Sequence, residues 1–239
     1  MAAYRYCTVY ETSAYLAVIA SNGRHQALPI LSHLIFELER LKPSGTHLEA
    51  VSPSPETPTL SDAVLIYLLE TLSLNHPSQS GFLVAFQEAR VNQRMSPSAE
   101  FFLHHLATAL RRIDTVLLRH LLHPDSSAVK PVFDAPGRPQ NPNSLMADAF
   151  GVLLGRIRSQ ARVSAWLCVR TAYRELSVSA SGEWLVRSLL LGGSTCTTGA
   201  DATNADGWLQ DRARSGEAQE MLRNGETIPG RWSLRRPPN

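Results

Sequence analysis

The sequence predicts an all-α fold: an antiparallel helical-repeat array of the tetratricopeptide-like kind, followed by a degenerate winged-helix unit. Three observations predict it. Apolar residues recur at helical spacing, as at Met146, Ala149, Phe150, Leu153 and Ile157, and again at Ala165, Val169, Ala172, Tyr173 and Leu176. Proline- and glycine-marked breaks cut the first half of the chain into short helices that fall in pairs. From residue 144 onward the order reads helix, strand, helix, helix, strand. There is no fixed-period repeat, so a solenoid of consensus repeats is not expected.

The first helix is expected over residues 8–20, with Tyr10, Ala14, Ala17 and Val18 on one side and Asn22-Gly23 closing it. A second over 25–41 presents Leu28, Leu31, Ile35 and Leu38, with Pro29 in a first turn that tolerates a missing N–H. A polar, proline-marked spacer runs from Lys42 to Thr59. Helices over 60–74 and 79–93 flank a turn at Asn75-His76-Pro77. Ser96-Pro97 pairs a capping hydroxyl with proline at the first helical position and starts a helix to Leu110. A sixth helix covers 114–122, and a proline-rich loop covers 123–143. Asn141-Pro142 then opens a long helical region to Leu176, with a break expected near Gly155 or Ser159. Ser177-Val178-Ser179 is an extended step, 181–191 a short helix and 192–206 a loop insertion. A last helix is expected from Trp208 to Leu222 and a short strand at Glu226-Thr227-Ile228. The expected domains are a helical hairpin array over 1–143, a long helix with a winged-helix-like end over 144–232, and a tail over 233–239.

A hydrophobic content of 44% supports a packed core, and the formal charge of +2 singles out no class of partner. The basic residues are unusual in kind: only Lys42 and Lys130 are lysines, and the other 21 are arginines. Six of these, Arg156, Arg158, Arg162, Arg170, Arg174 and Arg187, lie between Phe150 and Leu190 against only Glu175 and Glu183. Guanidinium forks suit phosphate and carboxylate partners, so these six are the candidate contacts for a partner protein or RNA. The other reading is a solvated helix face, and Trp166 and Trp184 are expected to be packing residues. Three scattered cysteines with no C-x-x-C suggest reduced thiols inside the cell, and no run is apolar enough to span a membrane.

The residues that suggest chemistry fall short of a site. His104-His105 and His120-x-x-His123 lack a third ligand at metal spacing, and zinc takes three or four; no metal is expected. Cys196, or Ser194 beside it, as a hydrolase nucleophile needs a histidine base, and no histidine follows His123. The same loop lacks the lysine of a phosphate-binding loop. Glu11, on an otherwise apolar helix, is expected to pair with an arginine of a neighbouring repeat, the other reading being a solvated surface glutamate. No catalytic residue and no cofactor are expected.

Three motifs in order carry a resemblance: Val9-Tyr10-Glu11-x-x-Ala14-x-x-Ala17; Leu145-Met146-x-x-x-Phe150 with Arg158-x-Gln160-Ala161; and Ala172-Tyr173-x-x-Leu176-x-Val178. They resemble the domain shared by the Sac-three/GANP family, relatives of PCI domains, over roughly residues 6–191. The resemblance implies a PCI-like array with a winged-helix end, acting without catalysis as a scaffold in mRNA processing and nuclear export. It implies a nuclear location, shared with the cytoplasm, other PCI-like or mRNA-export proteins as partners, and RNA as a further ligand. It implies neither a membrane nor a small-molecule substrate. Three departures qualify it, one of them the 192–206 insertion, which interrupts the region where the winged helix should continue. The family domain begins upstream of the VYE helix, so its N-terminal part is expected to be lacking. The corner at Arg111-Arg112-Ile113-Asp114 lacks a glycine-asparagine-aromatic signature. The alternative is a subunit of another PCI-containing assembly, such as the proteasome lid, the signalosome or a translation-initiation complex.

Overall fold

The structure, a computed structural model, describes residues 2–20, 26–40, 60–123, 129, 132, 144–191, 205–223 and 226–237. It is mostly helical with one small antiparallel sheet, so the all-α expectation holds for the bulk of the chain. Packing divides it into two compact units, Met1–Thr108 with Pro124–Ile157, and Ala109–His123 with Arg158–Asn239. The units interleave along the chain, changing over at 108/109, 123/124 and 157/158, against the expected boundary at 143/144. The proline-rich expectations over 42–59 and 133–143, and the insertion expected over 192–206 as far as residue 204, lie outside the described residues.

Unit 1 contains α1 (Ala2–Ala20), α2 (Ala27–Arg40), α3 (Leu60–Asn75) and α4 (Ser80–Val91), each packed on the next. α3 is its centre. Ten of its sixteen residues are buried, all round the helix, from Ala63 through Ser73, which is the signature of a helix enclosed by others. α5 (Pro97–Arg112) starts where the sequence places it: the Ser96 hydroxyl accepts the Ala99 N–H at 3.2 Å, with Pro97 at the first position. Its Phe102 packs 5.8 Å from Phe150 of α7 (Ser144–Ala172).

α7 runs unbroken through Gly155 and Ser159, against expectation. A glycine inside a helix costs about 1 kcal/mol. The burial of Leu153, Leu154, Ile157 and Ala161 on either side of that point outweighs it.

Unit 2 contains α6 (Thr115–Leu121), the C-terminal part of α7, β1 (Glu175–Ser177), α8 (Val178–Ser188), α9 (Ala205–Arg214), β2 (Ala218–Arg223) and β3 (Glu226–Leu234). The sheet order is β1-β3-β2, antiparallel throughout, with Leu176 opposite Trp232 and Ala218 opposite Leu234. Those four residues are buried with Trp166, Leu185, Leu189, Trp208 and Leu209 as the core of the unit. Leu234 belongs to that core, so the expected tail begins inside β3.

The last helix is shorter than expected. It ends at Arg214 because Gly216 takes a left-handed φ of 75°, with its N–H on the Ala213 carbonyl and that of Glu217 on the Arg212 carbonyl. The residues expected to continue the helix to Leu222 form β2 instead. Other helix ends reach the same left-handed turn without glycine, at Gln93, Ile113 and Leu190. Among the described residues no helix is long and apolar enough to cross a membrane.

Candidate interaction surfaces

The six candidate arginines separate into two groups. Arg156, Arg158, Arg162 and Arg170 face inward and hold other elements by their main-chain oxygens. Arg156 donates to the Val18 carbonyl in the last turn of α1 and to Glu70 of α3, the latter at 3.1 Å. Arg158 donates to the Leu122 carbonyl at the end of α6, at 2.7 Å. Arg162 reaches the Leu189 and Leu190 carbonyls at the end of α8, at 3.1 and 3.2 Å. Arg170 donates to the Arg235 carbonyl at 2.8 Å and to Glu217 at 3.0 Å. Three of the four thus end on carbonyls at helix C-termini, which lack intrahelical partners and carry the negative end of the helix dipole. Arg174 and Arg187 are the two that face solvent, and Arg187 pairs there with Glu183. The expected arginine surface is therefore mostly an internal set of clamps.

Glu217 is the hub of unit 2. It accepts hydrogen bonds from the Trp166 indole at 3.0 Å, from Arg170 at 3.0 Å and from Arg212 at 3.3 Å. The Arg212 guanidinium sits 4.8 Å above the Trp208 ring, which meets Trp166 edge-on at 4.7 Å. Asp206 accepts the Trp232 indole N–H at 3.2 Å. An open groove of about 600 Å³ lies beside this corner, between α9 and the β2–β3 hairpin, lined by Gln210, Arg214, Glu220 and Arg235 among others.

Trp184, expected in the core, is 40% exposed and meets the 46% exposed Tyr173 edge-on at 5.4 Å. Helical spacing places it on α8 but does not say which side of α8 is covered. In unit 1 the exposed α4 residues Leu83, Val84 and Val91 line a shallow groove, and Val9 and Leu16 are exposed on α1. Phe36 on α2 and Phe101 on α5 are also exposed.

Glu11 is buried, and no arginine among the described residues pairs with it, against expectation. Burial raises its carboxyl to about 7; the hydrogen bond from Tyr15 opposes this and the charge of Asp62 adds to it. The folded chain therefore holds this proton more tightly than the unfolded chain, whose value is near 4.5. The resulting stabilisation is complete below that value and is lost as pH rises through about 7. Urea midpoints are expected to fall between about pH 5 and pH 7.5, by up to about 3 kcal/mol in stability, and Glu11→Gln is expected to flatten that slope. An unchanged slope in the variant would assign it to other groups.

No group of three histidine, cysteine or acidic side chains able to hold a metal occurs among the described residues. His105 is engaged locally, with its Nδ1 2.8 Å from the Phe101 carbonyl. Cys196 and Ser194 lie outside the described residues. Compared with protein-family models, curated proteins and solved structures, the chain matches none.

Proposed function

We propose that this chain is a non-enzymatic scaffold of the Sac-three/GANP type, with unit 1 as a PCI-like helical-repeat array and unit 2 as a winged helix. One observation carries the reading. The second part of α7, then β1, α8, α9, β2 and β3, with β3 between the other strands, follow the order and pairing of a winged helix. Consecutive packing of α1 to α4 supports the array beside it. The three motifs are the ground for the family, and the Arg158-x-Gln160-Ala161 element lies on α7.

On this reading the chain works by binding. Its partners are other PCI-like or mRNA-export and mRNA-processing proteins, with RNA as a further ligand, in the nucleus and cytoplasm. The α4 residues Leu83, Val84 and Val91 are the natural docking positions on unit 1, because contiguous exposed apolar side chains mark interaction sites. The clamped arginines Arg156, Arg158, Arg162 and Arg170 are committed to the fold, which leaves Arg174 and Arg187 of the original six for ligands.

The test is affinity recovery of the tagged full chain from its own cell extract, with and without nuclease, read by mass spectrometry. Recovery of mRNA-export or splicing proteins that survives nuclease supports the scaffold. Recovery of proteasome-lid, signalosome or initiation-factor subunits instead overturns it in favour of another PCI-containing assembly.

A further inference from the structure

We propose that Tyr173 and Trp184 form a stacking platform for a single-stranded polynucleotide, served by the exposed arginines of unit 2. The inference deepens the RNA part of the reading above, but it stands on a different observation.

The tryptophans make the case first. Trp166, Trp208 and Trp232 are buried, and the indole N–H groups of Trp166 and Trp232 are satisfied by Glu217 and Asp206. Trp184 is the fourth, and it is held out of that core. It and Tyr173 are the two exposed tyrosine or tryptophan side chains among the described residues of unit 2. Their rings come from different elements, the exit of α7 and the body of α8, and meet at an interplanar angle of 65°. Edge-to-face contact holds both rings in place while leaving a face of each open. Unpaired bases stack on such faces, and stacking is tolerant of sequence because every base has a π-face.

Charge supplies the second line. Unit 2 carries fourteen arginines, no lysine and nine acids, a formal balance of +5, whereas unit 1 stands at −3 with nine basic residues and twelve acids. Arg174 follows Tyr173 directly, is exposed, and donates no side-chain hydrogen bond among the described residues. Arg187 lies three residues from Trp184 on α8, and its pair with Glu183 is exposed on both sides. Such surface pairs are weak enough to exchange for a phosphate. Glu175 and Glu183 also lie beside the rings and oppose a polyanion there, so the attraction comes from the unit as a whole. That gives the proposal a distinctive sign: removing these two acids should tighten binding.

The experiment is fluorescence anisotropy of labelled single-stranded RNA and DNA, and of duplex RNA, with the purified full chain at two salt concentrations. Binding of the single strands in preference to the duplex is expected, weakened about ten-fold or more by Trp184→Ala or Tyr173→Ala and largely kept by Trp184→Phe. Arg174→Gln should reduce the salt dependence, whereas Trp184→Ala should leave it unchanged. Glu175→Gln with Glu183→Gln should increase affinity several-fold. Circular dichroism confirms that the variants fold. The proposal is overturned if no single strand binds, if the duplex binds equally, or if folded Trp184→Ala binds as the parent does. Loss of a protein partner in Trp184→Ala, with no polynucleotide bound, would identify a protein-docking patch and also overturn it. The scaffold reading would survive each of these results, since it fails only on the identity of the proteins recovered.

Discussion

Arg156→Ala is expected to lower the stability of the full chain by about 3–5 kcal/mol, read as the shift of the urea unfolding transition at neutral pH. Glu70 is fully buried in the centre of α3, and Arg156 supplies the opposing charge at 3.1 Å. Truncating the guanidinium removes the counter-charge beside a fully buried carboxylate, where water cannot replace it. The same change removes the guanidinium bond to the Val18 carbonyl in the last turn of α1, so two joints loosen together. Replacing both partners by apolar residues, as in Glu70→Leu with Arg156→Met, is expected to recover most of the loss. A single-variant loss below about 1 kcal/mol would show that the pair is dispensable.

Glu217→Ala is the second large effect, about 3–5 kcal/mol and confined to unit 2. Arg170 is 6% exposed, and its removal from Glu217 leaves a buried guanidinium on the Arg235 carbonyl. The Trp166 indole and Arg212 lose the same acceptor. Glu217→Gln, which keeps an acceptor oxygen and removes the charge, is expected to cost about half as much. Hydrogen exchange separates the units: faster exchange in β2 and β3 with α1 to α4 unchanged is the expected pattern. Equal acceleration across the chain would contradict a role local to this corner. Arg214→Ala, at an exposed pair with Asp211, serves as the control at about 0.5 kcal/mol or less.

The helices of the first half were legible because local rules decide them. Ser96-Pro97 states its own cap, and the α2, α3 and α4 stripes end near the residues where the apolar pattern stops. β1 falls two residues before the extended step expected at 177–179, since Leu176 turns inward onto Trp232. The α9–β2 corner was missed because the apolar spacing of Trp208, Leu209 and Ala213 continues plausibly past Gly216, whose left-handed turn ends the helix. Three other helix ends carry no glycine signal at all, with Gln93, Ile113 and Leu190 in the left-handed region.

The candidate site was less legible than the fold. That Arg156 to Arg170 lie on one helix follows from the sequence, but their partners do not. Val18 and Glu70 precede Arg156 by 138 and 86 residues, and no local pattern announces a carbonyl as the acceptor. Trp184 illustrates the same limit: helical periodicity gives its angle on α8, and only tertiary packing decides that this angle meets solvent.

The clamps on α7 also bear on how the molecule responds to its medium. Added salt screens charge against charge, and exposed pairs such as Arg187–Glu183 and Arg214–Asp211 weaken as ionic strength rises. The bonds from Arg158 to the Leu122 carbonyl and from Arg162 to the Leu189 and Leu190 carbonyls end on neutral main-chain oxygens, which salt screens less than it screens charge against charge. A chain that carries 21 arginines thus entrusts these joints to contacts that brine leaves largely alone. As ionic strength rises, the exposed pairs should give way before these bonds do.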